Sequence, residues 1–111
     1  MNMHSHDEDT EGLGVEPAGI GGALVIDVRR AAAFALSRHT LPGALRGDPD
    51  AIADWSYTLE AGRDIVVYCA HGHEVSRNAA RVLCASGFHA RFLRGGITAW
   101  EAAGLPLVEK P

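Results

Sequence analysis

Ile65-Val66-Val67-Tyr68-Cys69-Ala70-His71-Gly72-His73-Glu74-Val75-Ser76 joins an unbroken apolar run to a short polar loop and then to a helical pattern. Ile65 to Cys69 shows no polar alternation, which predicts a strand buried on both faces. After the loop Ala70 to Val75, Ser76 is positioned to cap a helix that ends at Gly87. Ala79, Ala80, Leu83 and Cys84 share one side of that helix, and Arg77 and Arg81 lie nearer the other.

The flanks repeat this alternation. Upstream, Ala23-Leu24-Val25-Ile26, closed by Asp27, is a second buried strand. Arg30 to Leu36 is Ala-rich and helix-compatible, and Pro42-Gly43 forces a turn. Asp48 caps a helix with Pro49 at its first position, running to about Leu59 before Ala61-Gly62. Downstream, Ala90 to Leu93 is a third strand, broken by Gly95-Gly96. Ile97 to Ala103 then forms a last helix with Trp100 as a core anchor, ending at Gly104. Strands alternating with helices, and no hairpin signal, predict an α/β fold: a single small domain, mainly parallel sheet with helices on both faces. Its expected span is residues 23–108.

Residues 1–22 lack hydrophobic periodicity and are rich in His, Asp, Glu and Gly, so they are expected to form a flexible leader. His4 and His6 are read as part of that polar tail and not as a metal-binding pair. A chain of 111 residues with 47% hydrophobic residues has room for one core and no second domain. The formal charge of -4 is uneven, because Asp7, Glu8, Asp9, Glu11 and Glu16 precede residue 23 with no Lys or Arg among them. The remainder of the chain is nearly balanced and offers no basic footprint, so nucleic acid is not an expected partner. No apolar run approaches the roughly 20 residues of a membrane span. The start lacks the pattern of a signal peptide. A cytoplasmic protein is expected, with Cys69 and Cys84 as free thiols.

Cys69 stands where parallel sheets place their ligands, at the carboxyl end of a buried strand. A loop that curls from there into a helix can aim successive backbone N–H groups at one point. Such donors favour a thiolate over a thiol and can cradle an oxyanion beside it. Cys84, on the apolar side of its helix, is read as packing. Cys69, His71 and His73 are poor metal ligands together, because three groups so close on one loop rarely reach one ion in good geometry. No metal and no cofactor are expected.

These residues carry a resemblance. Leu24-Val25-Ile26-Asp27-Val28-Arg29, Leu41-Pro42-Gly43-Ala44, Val67-Tyr68-Cys69-Ala70-His71-Gly72 and Leu93-Arg94-Gly95-Gly96, with Trp100 beyond, together resemble the rhodanese family. The resemblance implies a sulfurtransferase that moves a sulfane sulfur from a donor such as thiosulfate to a thiol or cyanide. The sulfur would pass through a persulfide on Cys69, a covalent route in two steps. By the same resemblance, Ala70, His71, Gly72, His73, Glu74, Val75 and Ser76 would bind the anionic donor, and Asp27 and Arg29 would buttress the loop. A thiol on another protein is an eligible acceptor.

Two departures qualify the resemblance. Thr40 stands where the family commonly has His before its Pro-Gly turn, with His39 one residue earlier. Glu74 holds the fifth place after Cys69, where a basic or small polar residue is common, and Ser76 comes seventh instead of sixth. The loop thus reads one residue longer than the usual sulfurtransferase loop. A longer loop resembles those of cell-cycle dual-specificity phosphatases and arsenate reductases. The alternatives are therefore an oxyanion reductase or phosphatase-like enzyme, or a non-catalytic anion-sensing or adaptor module. Against the phosphatase, Val75 occupies the place of its loop-ending Arg, and Arg77 comes two residues late. Cys-x-His-Gly-His-Glu-Val-Ser is also similar to rhodanese-type modules associated with bacterial chromate resistance.

Overall fold

The computed structural model describes residues 10–111. The chain runs β1 (Gly14–Val15), β2 (Leu24–Asp27), α1 (Ala31–Leu36), β3 (His39–Thr40), β4 (Leu45–Arg46), α2 (Ile52–Ser56), β5 (Asp64–Tyr68), α3 (Glu74–Ala85), β6 (His89–Leu93), α4 (Gly96–Ala102) and β7 (Val108–Glu109). Five strands form one sheet in the order β1-β6-β5-β2-β4, and every neighbouring pair in it is parallel. β3 and β7 make a separate antiparallel pair. No helix among the described residues is long and apolar enough to cross a membrane.

The apolar runs form the middle of the sheet because both of its faces are covered. Ile26, Ile65, Val67 and Phe92 point into one core with Ile52 of α2 and Ala79, Ala80 and Leu83 of α3. Val25, Val66, Tyr68 and Leu93 point into the other with Leu41 and Trp100. Each fully buried aliphatic or aromatic side chain here contributes about 1.5–3 kcal/mol. Trp100 is a core anchor, and its indole N–H donates to Pro106 O at 2.7 Å.

Three expectations need correction. Residues 10–22 are not outside the domain: Val15 is buried, β1 pairs with β6, and Thr10 is fully buried. Glu11 holds this edge by bonding Arg94 and Arg77, a long-range tie that local sequence does not reveal. Residues 1–9, with His4 and His6, lie outside the described residues. The second helix is shorter than expected, Ile52–Ser56, because Asp48 accepts from Asp50 N at 2.9 Å in a local turn instead of capping a helix. Finally, α3 begins at Glu74 with His73 as its N-cap, so Ser76 lies inside the first turn.

Candidate active site

The sheet sets the position of Cys69. It follows β5, the central strand, and Asp27↔Tyr68 is the last register pair between β2 and β5. Two strand ends therefore meet under the loop. Asp27 and Arg29 are 1% and 2% exposed, so a charge on either is tolerable only if paired. They pair closely: Arg29 Nη2 and Nε donate to Asp27 Oδ2 at 2.7 and 3.1 Å, and Arg29 N donates to Oδ1 at 3.0 Å. Tyr68 OH donates to Asp27 Oδ2 at 2.9 Å and accepts from Leu41 N. Arg29 Nη2 also reaches His39 O at 2.9 Å. Burial pushes the Tyr68 phenol well above its ordinary value, and the Asp27 charge adds to this. Burial alone would lower the Arg29 pKa, but its bonds to Asp27 and the carboxylate charge raise it. The unit fixes the residue that precedes Cys69.

The loop itself is held by its carbonyls. Cys69 O accepts from Ile97 N at 3.0 Å and Ala70 O from Thr98 N at 3.1 Å, both at the start of α4. Gly72 O accepts from Arg77 Nε at 3.1 Å, and His73 O from Arg77 N. In a trans peptide the N–H points opposite the C=O, so tying a carbonyl to one side turns the next amide to the other. None of the N–H groups from Ala70 to Ser76 donates to an acceptor among the described residues. A run of undonated N–H groups that closes on a helix start can receive an anion.

Close backbone approach makes this possible. Gly72 has φ +72, and a Cβ there would stand 2.5 Å from Gly95 N. Gly96 has φ +61, and a Cβ there would stand 2.6 Å from Ala70 O. Gly95-Gly96 is thus the other half of the site. Ser76, fully buried, faces the sulfur: the Cys69 thiol donates to Ser76 Oγ at 3.1 Å, and an ionised sulfur would accept from that hydroxyl instead.

Cys69 is 6% exposed and opens on a cavity of about 300 Å³, lined by Arg29, Arg30, Ala33, Ala70, His71, His73, Glu74 and Val75. The expected site residues thereby gather around one sulfur, with Gly72 buried beneath and Ser76 behind it. His71 and His73 are exposed with ring centroids 6.1 Å apart, and His71 Nδ1 lies 3.2 Å from Thr98 Oγ1. Glu74 is exposed at the cavity mouth. Arg77 does not line the cavity; its guanidinium lies over the Phe92 ring, 4.4 Å from the centroid. The sequence reading missed the ties from Ile97, Thr98 and Arg77. The Gly pair after β6 was their one visible signal. Cys84 is half-buried, with Sγ bonded to Ala90 O at 3.2 Å. No group of His, Cys, Asp or Glu among the described residues is arranged to hold a metal ion.

Comparison with known proteins gives a consistent picture. The model of the rhodanese-like domain matches residues 15–103. The chain is 34% identical over 101 residues to a sulfurtransferase of Allochromatium vinosum, covering 90% of this chain and 92% of that one. It is 35% identical over 82 residues to the thiosulfate sulfurtransferase GlpE of Pseudomonas savastanoi pv. phaseolicola, covering 73% and 74%. A solved protein from Lactobacillus plantarum superposes with a TM-score of 0.79 at 26% identity, covering 96% of this chain and 100% of that one. A rhodanese-related protein from Thermoplasma volcanium does so with a TM-score of 0.76 at 24% identity, covering 87% and 98%, which bears on the fold alone.

Proposed function

Since the chain belongs to the rhodanese-like domain family, we propose that it is a sulfurtransferase whose sulfur carrier is Cys69, with a donor such as thiosulfate. The observation that carries this is the set of undonated amides from Ala70 to Ser76 in the loop that leaves Cys69, whose sulfur is shielded but borders the cavity.

In the first step the ionised Cys69 sulfur attacks the outer sulfur of thiosulfate. A new S–S bond forms, the bond to the sulfonate breaks, and sulfite leaves with the bonding pair. In the second, a thiol or cyanide attacks the outer sulfur of the Cys69 persulfide, and the Cys69 thiolate is regenerated. The amides stabilise the negative charge on the outer sulfur, as preorganised donors stabilise an oxyanion. Ser76 donates to Sγ in the ionised state, while Asp27 and Arg29 hold the strand end beneath. Two steps through one nucleophile replace a single transfer between two small anions that repel each other.

A phosphatase reading lacks support, since the one Arg near the loop end is turned onto Phe92 and Gly72 O, away from the cavity. Incubation with saturating thiosulfate is expected to add the mass of one sulfur atom to the intact protein. Cyanide should then remove it as thiocyanate. Cys69→Ser should abolish the adduct while leaving the thermal midpoint nearly unchanged. A wild-type mass left unmodified would refute thiosulfate as the donor, and an adduct that persists in Cys69→Ser would refute Cys69 as the carrier.

A further inference from the structure

The two arginines lining the Cys69 cavity are already committed. Arg29 is spent on Asp27 at 2.7 Å, and Arg30 Nη1 pairs with Asp50 Oδ2 at 2.9 Å. Glu74, by contrast, has no cationic partner among the described residues and stands at the mouth beside Cys69. It also borders a second groove, of about 270 Å³, shared with Arg30, Pro49, Asp50, Val75 and Asn78. A ligand reaching the sulfur from that side passes the unpaired carboxylate of Glu74 before it meets the amides. The inner walls, Ala33, Ala70 and Val75, are apolar and suit a hydrocarbon body.

A dianion such as thiosulfate fits this lining poorly. It brings two negative charges past Glu74 toward a thiolate, with no uncommitted guanidinium to offset them, and it has no apolar part to cover the alanines and Val75. An organic persulfide of low charge avoids both costs. If its organic part ends in an ammonium group, the Glu74 carboxylate at the entrance attracts it.

Resting on the sulfurtransferase reading above, the geometry points to Glu74 as the residue that sets donor choice, favouring the persulfide of a small aminothiol over anionic donors. The step balances. The Cys69 thiolate attacks the outer sulfur of R–S–SH, the new S–S bond forms, and the donor S–S bond breaks. R–S⁻ leaves with the bonding pair, and the proton stays on the transferred sulfur. No oxidant or reductant enters. The ammonium of R lies toward Glu74, and its methylenes lie against Ala33 and Val75.

The test compares initial rates of sulfur loading, read by intact mass, from cysteamine persulfide, mercaptoacetate persulfide and thiosulfate. Wild type, Glu74→Gln, Glu74→Lys and Cys69→Ser are assayed in low salt. An exposed charge pair contributes a few-fold in rate, so wild type should load from the cysteamine donor about fivefold faster than from the mercaptoacetate donor. Glu74→Gln should bring that ratio near one, and Glu74→Lys should invert it while accelerating loading from thiosulfate. Equal wild-type rates from the two organic donors, or a ratio unmoved in both Glu74 variants, would overturn the assignment of Glu74 and leave the Cys69 carrier standing. So would a wild type fastest with thiosulfate. Failure of every donor to load wild type, or loading that survives in Cys69→Ser, would instead overturn the sulfurtransferase reading and this inference with it.

Discussion

The loop from Cys69 to Ser76 and the Asp27–Arg29–Tyr68 cluster beneath it are adjacent, yet they treat their polar groups in opposite ways. In the cluster every buried charge and hydroxyl is matched: the carboxylate takes the guanidinium, an amide and a phenol, and the guanidinium also takes a carbonyl. In the loop the carbonyls of Cys69, Ala70, Gly72 and His73 are matched, and the amides from Ala70 to Ser76 have no acceptor among the described residues. A satisfied network is rigid and offers nothing to a ligand, whereas unspent donors are costly to the fold unless something arrives to use them. The contrast separates a residue that supports a site from one that forms it.

Breaking the cluster should cost the most. Asp27→Asn leaves Arg29 buried without its partner's charge, and losing one member of a buried pair costs about 3–5 kcal/mol. In a domain of this size that lowers the Tm by roughly 15–30 °C, measurable by calorimetry. A loss under about 1 kcal/mol would mean that water or a rearranged neighbour substitutes for the carboxylate.

Next comes the contact between the two halves of the site. Gly96→Ala adds a Cβ against the Ala70 carbonyl at a backbone angle that disfavours side chains. The strain alone is about 1–3 kcal/mol. Because the loop must move, the rate of sulfur loading should fall by about 100-fold, as for a displacement of about 1 Å at a reacting centre. Stopped-time mass spectrometry on the folded variant would show it. Loading at the wild-type rate would mean that the glycine contact does not set the loop.

Ser76→Ala sharpens the comparison from the loop side. It removes one hydroxyl from beside the sulfur. Stability should change by about 0.5–1.5 kcal/mol in urea titrations, while loading slows by about tenfold. A stability loss with unchanged loading would make Ser76 part of the support and not of the site.

The smallest effect concerns pH. Because the Tyr68 pKa is raised in the folded state, the stability linked to it is fully present below about 10, where an unfolded tyrosine titrates. It is lost as pH rises beyond that, because the unfolded chain releases the proton first. Tyr68→Phe should flatten the alkaline limb of a plot of Tm against pH, at the cost of the bond to Asp27. An unchanged limb would contradict the burial assigned to the phenol.

Much of the fold was legible in the amino-acid sequence, and the reasons are physical. The runs at Leu24 and Ile65 are continuous because both faces of the sheet are covered, so composition alone marks them as central strands. Cys69 and its loop are contiguous in sequence, so the geometry of one turn could be anticipated. The edge strands could not be. β1 and β4 have two residues each, too few for periodicity, and β1 sits within an acidic stretch that reads as solvated tail. What makes it a strand is Glu11 meeting Arg94 and Arg77 from far along the chain. The start of α3 was misplaced for a related reason. Ser76 carries the signature of a cap, but its hydroxyl is spent on the sulfur, and His73 opens the helix with no side-chain bond to the amides. A cap would have used the donors that the site keeps open.

The most direct test of the central claim is a crystal structure of the protein after treatment with thiosulfate. Density for one extra sulfur should extend from Cys69 Sγ into the ring of amides between Ala70 and Ser76, with several N–H groups directed at it and Cys84 unmodified. An extra sulfur on Cys84 with Cys69 bare, or an outer sulfur on Cys69 facing carbonyls in place of amides, would contradict the account.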